Sequence, residues 1–99
     1  MFKITGNKGF HMTFSNGWTV SVQFGPGNYC NNRTSNPMDL PIPECGNAEI
    51  AAWDINGIMH DFGQDHVEGY VEADQVADFI TKIAGKEGNE IGRITFNEI

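Results

Sequence analysis

The stretch that decides the fold is GFHMTFSNGWTVSVQF, residues 9–24. Two runs of alternating apolar and polar residues flank the segment Ser15-Asn16-Gly17. Alternate side chains of a strand point to opposite faces, so each run has one apolar face. These faces consist of Phe10, Met12, Phe14, Trp18, Val20, Val22 and Phe24. Asn-Gly between alternating runs is a strong hairpin signal, because both residues tolerate positive φ. We therefore predict a β-hairpin whose apolar face covers the core.

A second hairpin is predicted after a long aperiodic segment. Residues 28–46 contain three prolines and no periodicity, which is typical of a functional loop. Ala48–Trp53 alternates as a third strand, and Asp54-Ile55-Asn56-Gly57 forms a turn signal. Ile58–Phe62 is predicted as the returning fourth strand, and Val67–Val71 as a short fifth extended piece.

One helix is predicted near the C-terminus, over residues 74–84. Its apolar residues recur at helical spacing and form one stripe: Val76, Phe79, Ile80 and Ile83. Asp74 fits the N-cap or the first turn, and Gly85 follows the last turn as a C-terminal signal. Residues 91–96 are a candidate for a last edge strand. The predicted fold is a single α+β domain over residues 1–99: an antiparallel sheet of two β-hairpins plus a short strand, packed against one C-terminal amphipathic helix.

The charge of the chain is acidic and unevenly distributed. The formal net charge is −7, and residues 44–99 carry twelve acidic side chains, whereas residues 1–43 carry one. From position 44 to position 81 there are nine acids and no Lys or Arg. This distribution argues against phosphate-mediated binding of nucleic acid, which needs a basic patch. We expect instead a partner protein with a basic surface, and the alternative is a solvated acidic surface that binds no partner and keeps the protein in solution.

The acidic half supplies the predicted partner-binding surface. Carboxylates from the second hairpin and the approach to the helix would surround an aromatic anchor, because Trp is enriched at the centres of interfaces. The predicted partner-binding residues are Glu49, Trp53, Asp54, Asp61, Asp65 and Glu68. No apolar run is long enough for a signal peptide or a membrane span, so we expect a cytoplasmic protein with no membrane contact.

An alternative site is the Gly-rich exit of the first hairpin, residues 25–33. Backbone N–H groups in such a turn can form an anion-binding nest, to which a guanidinium and an aromatic ring add a charge and a stacking surface. This site would bind a small ligand or a nucleotide-like signal through Gly25, Gly27, Asn28, Tyr29, Asn31 and Arg33. The competing interpretation is an ordinary turn followed by a polar loop.

Catalytic and metal-binding patterns are weak. His60, Asp61, Asp65 and His66 lie near one another, but they lack the ligand spacing of a zinc site. The residues from Asp54 resemble part of a calcium loop, without the bidentate Glu that its twelfth position requires. Cys30 and Cys45 are expected as thiols, with a disulfide as the alternative. We therefore predict a non-enzymatic protein with no catalytic residues, metal or cofactor.

The pattern F-S-N-G-W-T-V-S-V-Q-F-G-P-G-N-Y-C over residues 14–30 resembles a family of small proteins encoded by bacteriophages. Residues 48–54, and residues 69–71 before the helix, are part of the same resemblance. It implies a phage accessory protein that acts in the cytoplasm of the infected host, where it binds and disables a host protein of defence or nucleic-acid machinery or sequesters a host signal. It implies no catalytic residues. The oligomeric state stays open, a homodimer included.

Overall fold

The first hairpin forms where the alternation predicts it. The computed structural model describes residues 1–6, 8–31, 33 and 45–87. Within these, Gly9–Thr13 (β2) pairs antiparallel with Thr19–Gln23 (β3). The turn differs from the prediction in one respect. Gly17 has a φ of 89°, but Asn16 is not among the residues with positive φ. The Gly17 N–H donates to the Phe14 carbonyl and the Phe14 N–H to the Trp18 carbonyl, so the connection is a three-residue loop closed by one left-handed glycine.

The complete sheet has five antiparallel strands in chain order. Its other members are Phe2–Ile4 (β1), Ala48–Trp53 (β4) and Glu68–Val71 (β5), and the order is β1-β2-β3-β4-β5. The sequence prediction omitted β1. With the helix Ala73–Ala84 (α1), the architecture confirms the predicted α+β class and an antiparallel sheet with one C-terminal helix. The predicted strand over residues 91–96 lies outside the described residues.

The predicted fourth strand, Ile58–Phe62, is wrong. Met59 makes one isolated bridge to Trp53, and the His60 N–H donates to the Ala52 carbonyl. The chain then turns away, and the edge of β4 at Ala48 and Ile50 pairs with β5 instead. Phe62 is packed against the core. Two segments therefore share one edge of β4, residues 59–60 at its Ala52–Trp53 end and β5 at its Ala48–Ile50 end, and local alternation does not show this division.

The core lies between α1 and one face of the sheet. It consists of Val20, Val22, Ala48, Ile50, Ala52, Val71, Phe79 and Ile83, with partly buried apolar residues, Phe10, Phe14 and Trp18 among them, around it. The helix packs against β3 and β4. No helix formed by the described residues covers the opposite face of the sheet, and the central residues of that face are small. Thr19, Ser21 and Ala51 are nevertheless buried there. No helix in the described ranges is long and apolar enough to cross a bilayer.

The end of α1 is capped by the first hairpin. Gly85 follows the helix as predicted, but its φ is −89°, so it does not form the left-handed cap that glycine often forms at this position. The side chain of Asn16 caps the helix instead. Its Nδ2 donates to the carbonyl oxygens of Ile83 at 2.9 Å, Ala84 at 3.3 Å and Lys86 at 3.0 Å. The Ile83 carbonyl also accepts the Lys86 N–H at 3.2 Å. Because backbone donors are scarce at a helix C-terminus, the added donors of one buried amide join the hairpin turn to the helix end.

Candidate functional site

Six backbone donors of the described part of the loop 25–33 are used within the protein. The N–H groups of residues 27, 28, 30 and 33 donate to carbonyl oxygens of the same loop. The N–H groups of Tyr29 and Asn31 bind side chains of β4 and of the β3–β4 connection. The Tyr29 N–H donates to Glu49 Oε2 at 2.8 Å and the Asn31 N–H to Asn47 Oδ1 at 2.8 Å. A carboxylate and an amide of the chain itself thus occupy positions that a bound anion would take.

The same loop braces the edge of the sheet beside β5. The Tyr70 N–H donates to the Tyr29 carbonyl at 2.9 Å. Gly69 lies so close that a Cβ added to it would stand 2.5 Å from the Tyr29 Cβ. Arg33 lies over the Tyr29 ring, 4.7 Å from its centroid. The residues predicted for ligand binding therefore lie in a loop that supports the edge of the sheet. In this loop the side chains of Tyr29 and Arg33 are in contact with each other.

A shallow pocket of about 390 Å³ lies between β5 and α1. Ile50, Phe62 and Phe79 contribute apolar surface, and Glu68 and Tyr70 are among its polar residues. Tyr70 has a φ of 56°, a strained conformation for a residue with a side chain. Among the residues that the structure describes, none that lines the pocket is basic, so this lining does not suit a phosphate group.

The turn that follows β4 is held rigidly by hydrogen bonds. Asp54 Oδ1 accepts the N–H groups of Asn56 and Ile58, both at 2.9 Å. The backbone closes the same turn, because the Asp54 N–H donates to the Ile58 carbonyl and the Gly57 N–H to the Asp54 carbonyl. Gly57 supplies a φ of 81°. The Asp at the first turn position is what the sequence pattern predicts, since such a side chain binds the backbone two residues ahead.

Two isoleucines of this turn point into solvent. Ile55 and Ile58 are each 64% exposed, although both are large and apolar. Ile55 is predicted in a turn and Ile58 in a strand, and neither is among the predicted binding residues. A large apolar residue at a turn position, such as Ile55, is not explained by burial in the core, so it could have indicated a binding residue. A fixed turn that presents two apolar side chains is typical of an interaction surface.

The carboxylates after this turn also shape the backbone. Asp61 Oδ1 accepts the Gly63 N–H at 2.7 Å, and Asp65 Oδ1 accepts the His66 N–H at 2.8 Å. Both Asp residues are exposed, so their charges face solvent while one oxygen of each fixes a bend. The segment between β4 and β5 thus has a defined shape with a negative surface.

The six predicted partner-binding residues do not share one face. Glu49 and Trp53 lie on the helix-free face of β4, because their neighbours Ile50 and Ala52 belong to the core. Trp53 is partly covered there by His11, whose ring packs edge-on at a centroid distance of 5.0 Å. Glu68 lines the pocket on the helix side. Asp54, Asp61 and Asp65 lie in the connection between these faces.

Two of the histidines, His11 and His60, pack their rings against aromatic side chains. His60 packs edge-on against Phe62 and Phe79, at centroid distances of 4.8 Å and 5.5 Å. Burial lowers the pKa of His60, and the charges of Lys82 and Lys86 lower it further, whereas Asp61 opposes this effect. Burial also lowers the pKa of His11, with a smaller effect from Lys3.

Among residues 1–6, 8–31, 33 and 45–87, no three His, Cys, Asp or Glu side chains come close enough to hold a metal ion. No family model, curated protein or solved structure matches the chain.

Proposed function

We propose that this protein is a non-enzymatic binding protein, which docks onto a partner protein through the turn 54–58 and the carboxylates that follow it. Its support is the exposure of Ile55 and Ile58 on a turn that four hydrogen bonds hold in place. A preformed turn loses little conformational entropy on binding, so more of the contact energy becomes affinity.

The charge around the turn indicates the chemistry of the partner. Asp54 stands at the start of the turn, and Asp61 and Asp65 follow it, in a stretch without Lys or Arg from position 44 to position 81. The complementary surface is an apolar recess with a basic rim. Apolar anchors supply the affinity, and the charges increase the association rate and the specificity.

The resemblance to phage accessory proteins suggests where this binding takes place. The proposed partner is a protein of the infected bacterium, which is bound and inhibited in the host cytoplasm. A basic rim around an apolar recess is a feature of proteins that handle nucleic acids, so a nucleic-acid or defence enzyme is the proposed target class.

The test compares the wild type with the double variant Ile55→Ser/Ile58→Ser in affinity capture from a bacterial lysate, followed by calorimetry with the captured partner. Burying each isoleucine contributes roughly 1–2 kcal/mol, so the double variant should weaken the Kd by about 30-fold or more. The matched control is Asn56→Ser, which changes an exposed polar residue of the same turn and leaves both isoleucines in place. Unchanged affinity of the folded Ile55→Ser/Ile58→Ser variant for the captured protein would exclude this surface.

The electrostatic part is tested by Asp54→Asn and Asp61→Asn together. Asn keeps the side-chain oxygen that accepts the turn N–H groups, so the charge is removed without loss of the acceptor. We expect a slower association at low salt and a smaller difference at high salt, because screening weakens exposed charges. Equal association rates at low salt would show that the carboxylates only shape the backbone.

A further inference from the structure

The outer edge of β1 has unpaired backbone groups. In an antiparallel ladder, residues alternate between those that bond to the neighbouring strand and those that point away from it. Met1 exchanges both of its bonds with Thr13, at 2.8 Å and 2.9 Å, and the Thr5 N–H donates to the Gly9 carbonyl at 3.1 Å. The backbone N–H and C=O groups of residues 1, 3 and 5 therefore point toward β2. The N–H and C=O groups of Phe2 and Ile4 consequently point away from the sheet.

The side chains on this edge are apolar and exposed. Phe2 is paired with Met12 and Ile4 with Phe10, which places both on the helix side of the sheet. Because α1 packs against β3 and β4, it leaves Phe2 69% and Ile4 79% exposed. The rings of Phe2 and Phe10 pack edge-on at a centroid distance of 6.4 Å. Edge strands are usually protected from pairing, so an apolar edge with open backbone groups is a docking feature.

Lys3, which lies between these two residues, determines which charge is preferred on a segment that pairs with β1. Lys3 points to the helix-free face, where its strand partner is His11. It forms no ion pair with any residue of the described ranges, and burial lowers the pKa of His11, so Lys3 supplies a positive charge at the centre of this edge, in addition to the ammonium group of Met1. An acidic side chain on an added strand would lie directly opposite Lys3.

We propose that β1 binds an extended segment of a partner protein as a sixth strand, antiparallel to β1, with the pattern apolar–acidic–apolar at its centre. The two apolar side chains of this segment pack beside Phe2 and Ile4, and its acidic side chain faces Lys3. Main-chain bonds to Phe2 and Ile4 supply affinity without sequence preference, and the side chains select the segment. A second copy of the chain fits worse. Pairing β1 with itself around Lys3 places two lysines opposite each other, and each molecule carries a net charge of −7.

This site is independent of the proposed turn surface, and its preferred charge is opposite. β1 forms one edge of the sheet, whereas the turn follows β4, three strands away. The protein therefore presents one surface for a basic partner and one edge for an acidic strand, and it can bridge two proteins.

The test uses two peptides, acetyl-Thr-Val-Glu-Val-Thr-amide and the same peptide with Lys in place of Glu, titrated into the ¹⁵N-labelled full chain. We expect the Glu peptide to cause saturable shifts at the amides of Phe2 and Ile4 and to bind roughly threefold to tenfold more tightly than the Lys peptide. The variant Lys3→Glu should reverse this preference. Ile4→Pro should abolish binding while the sheet stays folded, because the lost N–H is one that points away from β2.

Three results would overturn the proposal. One is the absence of saturable shifts for both peptides at millimolar concentration. Another is binding that is insensitive to the charge at Lys3, or shifts that lie away from β1. The third is dimerisation of the free chain through Phe2 and Ile4, seen in sedimentation and as dilution-dependent shifts, since the edge would then be occupied by a second copy.

Discussion

Replacing Asn16 by Asp tests the link between the hairpin turn and the helix. As a turn residue, Asp before Gly serves about as well as Asn, so a purely local role predicts little change in stability. In the structure, however, Asn16 is 2% exposed and its amide N–H groups donate to three carbonyls at the end of α1. A carboxylate at this position would face those carbonyl oxygens without a donor.

The magnitude follows from the bonds that are lost. An unsatisfied buried carbonyl costs about 1–3 kcal/mol, and each hydrogen bond contributes about 1 kcal/mol. Asn16→Ala loses the bonds to the helix end and the bond from the Trp18 N–H to Asn16 Oδ1, which measures 2.9 Å. We expect it to lower the free energy of unfolding by roughly 2–4 kcal/mol, or about 10–30 °C in Tm. Asn16→Asp keeps the Trp18 bond but adds a negative charge at the negative end of the helix dipole, which costs a further ~1–2 kcal/mol in a buried setting.

Gly85→Ala is the matched control. If Gly85 formed a left-handed cap, Ala would destabilise the protein by about 1 kcal/mol. Its φ of −89° suits any residue, and an added Cβ would lie at an ordinary 3.4 Å from the Thr81 carbonyl oxygen. We therefore expect Gly85→Ala to be neutral or slightly stabilising. Urea unfolding monitored by tryptophan fluorescence should rank the variants in the order wild type and Gly85→Ala, then Asn16→Ala, then Asn16→Asp. An Asn16→Asp variant within about 0.5 kcal/mol of wild type would refute the capping role.

Two further variants test other contacts. Gly69→Ala should displace the loop around Tyr29, because the new Cβ would stand 2.5 Å from the Tyr29 Cβ. We expect the free energy of unfolding to fall by about 1–3 kcal/mol and the Tyr70 amide to exchange its hydrogen faster. Unchanged exchange would show that the loop does not support this strand. His60 has a folded-state pKa below its usual 6.5, chiefly through burial, so the unfolded chain takes up the proton first as the pH falls. The contribution of neutral His60 to the free energy of unfolding is complete above pH 6.5, and it is lost as the pH falls below this value. His60→Gln should flatten the loss of stability between about pH 7.5 and pH 5.5, and equal slopes in wild type and His60→Gln would contradict this.

Some features of the site follow from local sequence, and others require neighbours that local sequence does not identify. Asp54 at the start of a turn is predictable, because its side chain bonds to residues two and four positions ahead. The capture of the Tyr29 N–H by Glu49 is not, since the two residues are 20 positions apart. A Gly-rich loop looks the same in sequence whether its donors face a ligand or a carboxylate of the chain.

The sequence by itself determined the alternation of β2, β3 and β4, the amphipathic stripe of α1 and the acidity of the second half. These features depend on backbone preference and on side-chain direction, both of which repeat over a few residues. The tertiary structure alone decided which segment pairs with β4, that Phe2–Ile4 forms an edge strand, and that Asn16 caps a helix 67 to 70 positions away. Each of these depends on which distant groups remain unsatisfied once the sheet and the helix pack together, and burial then makes the pairing of those groups energetically necessary.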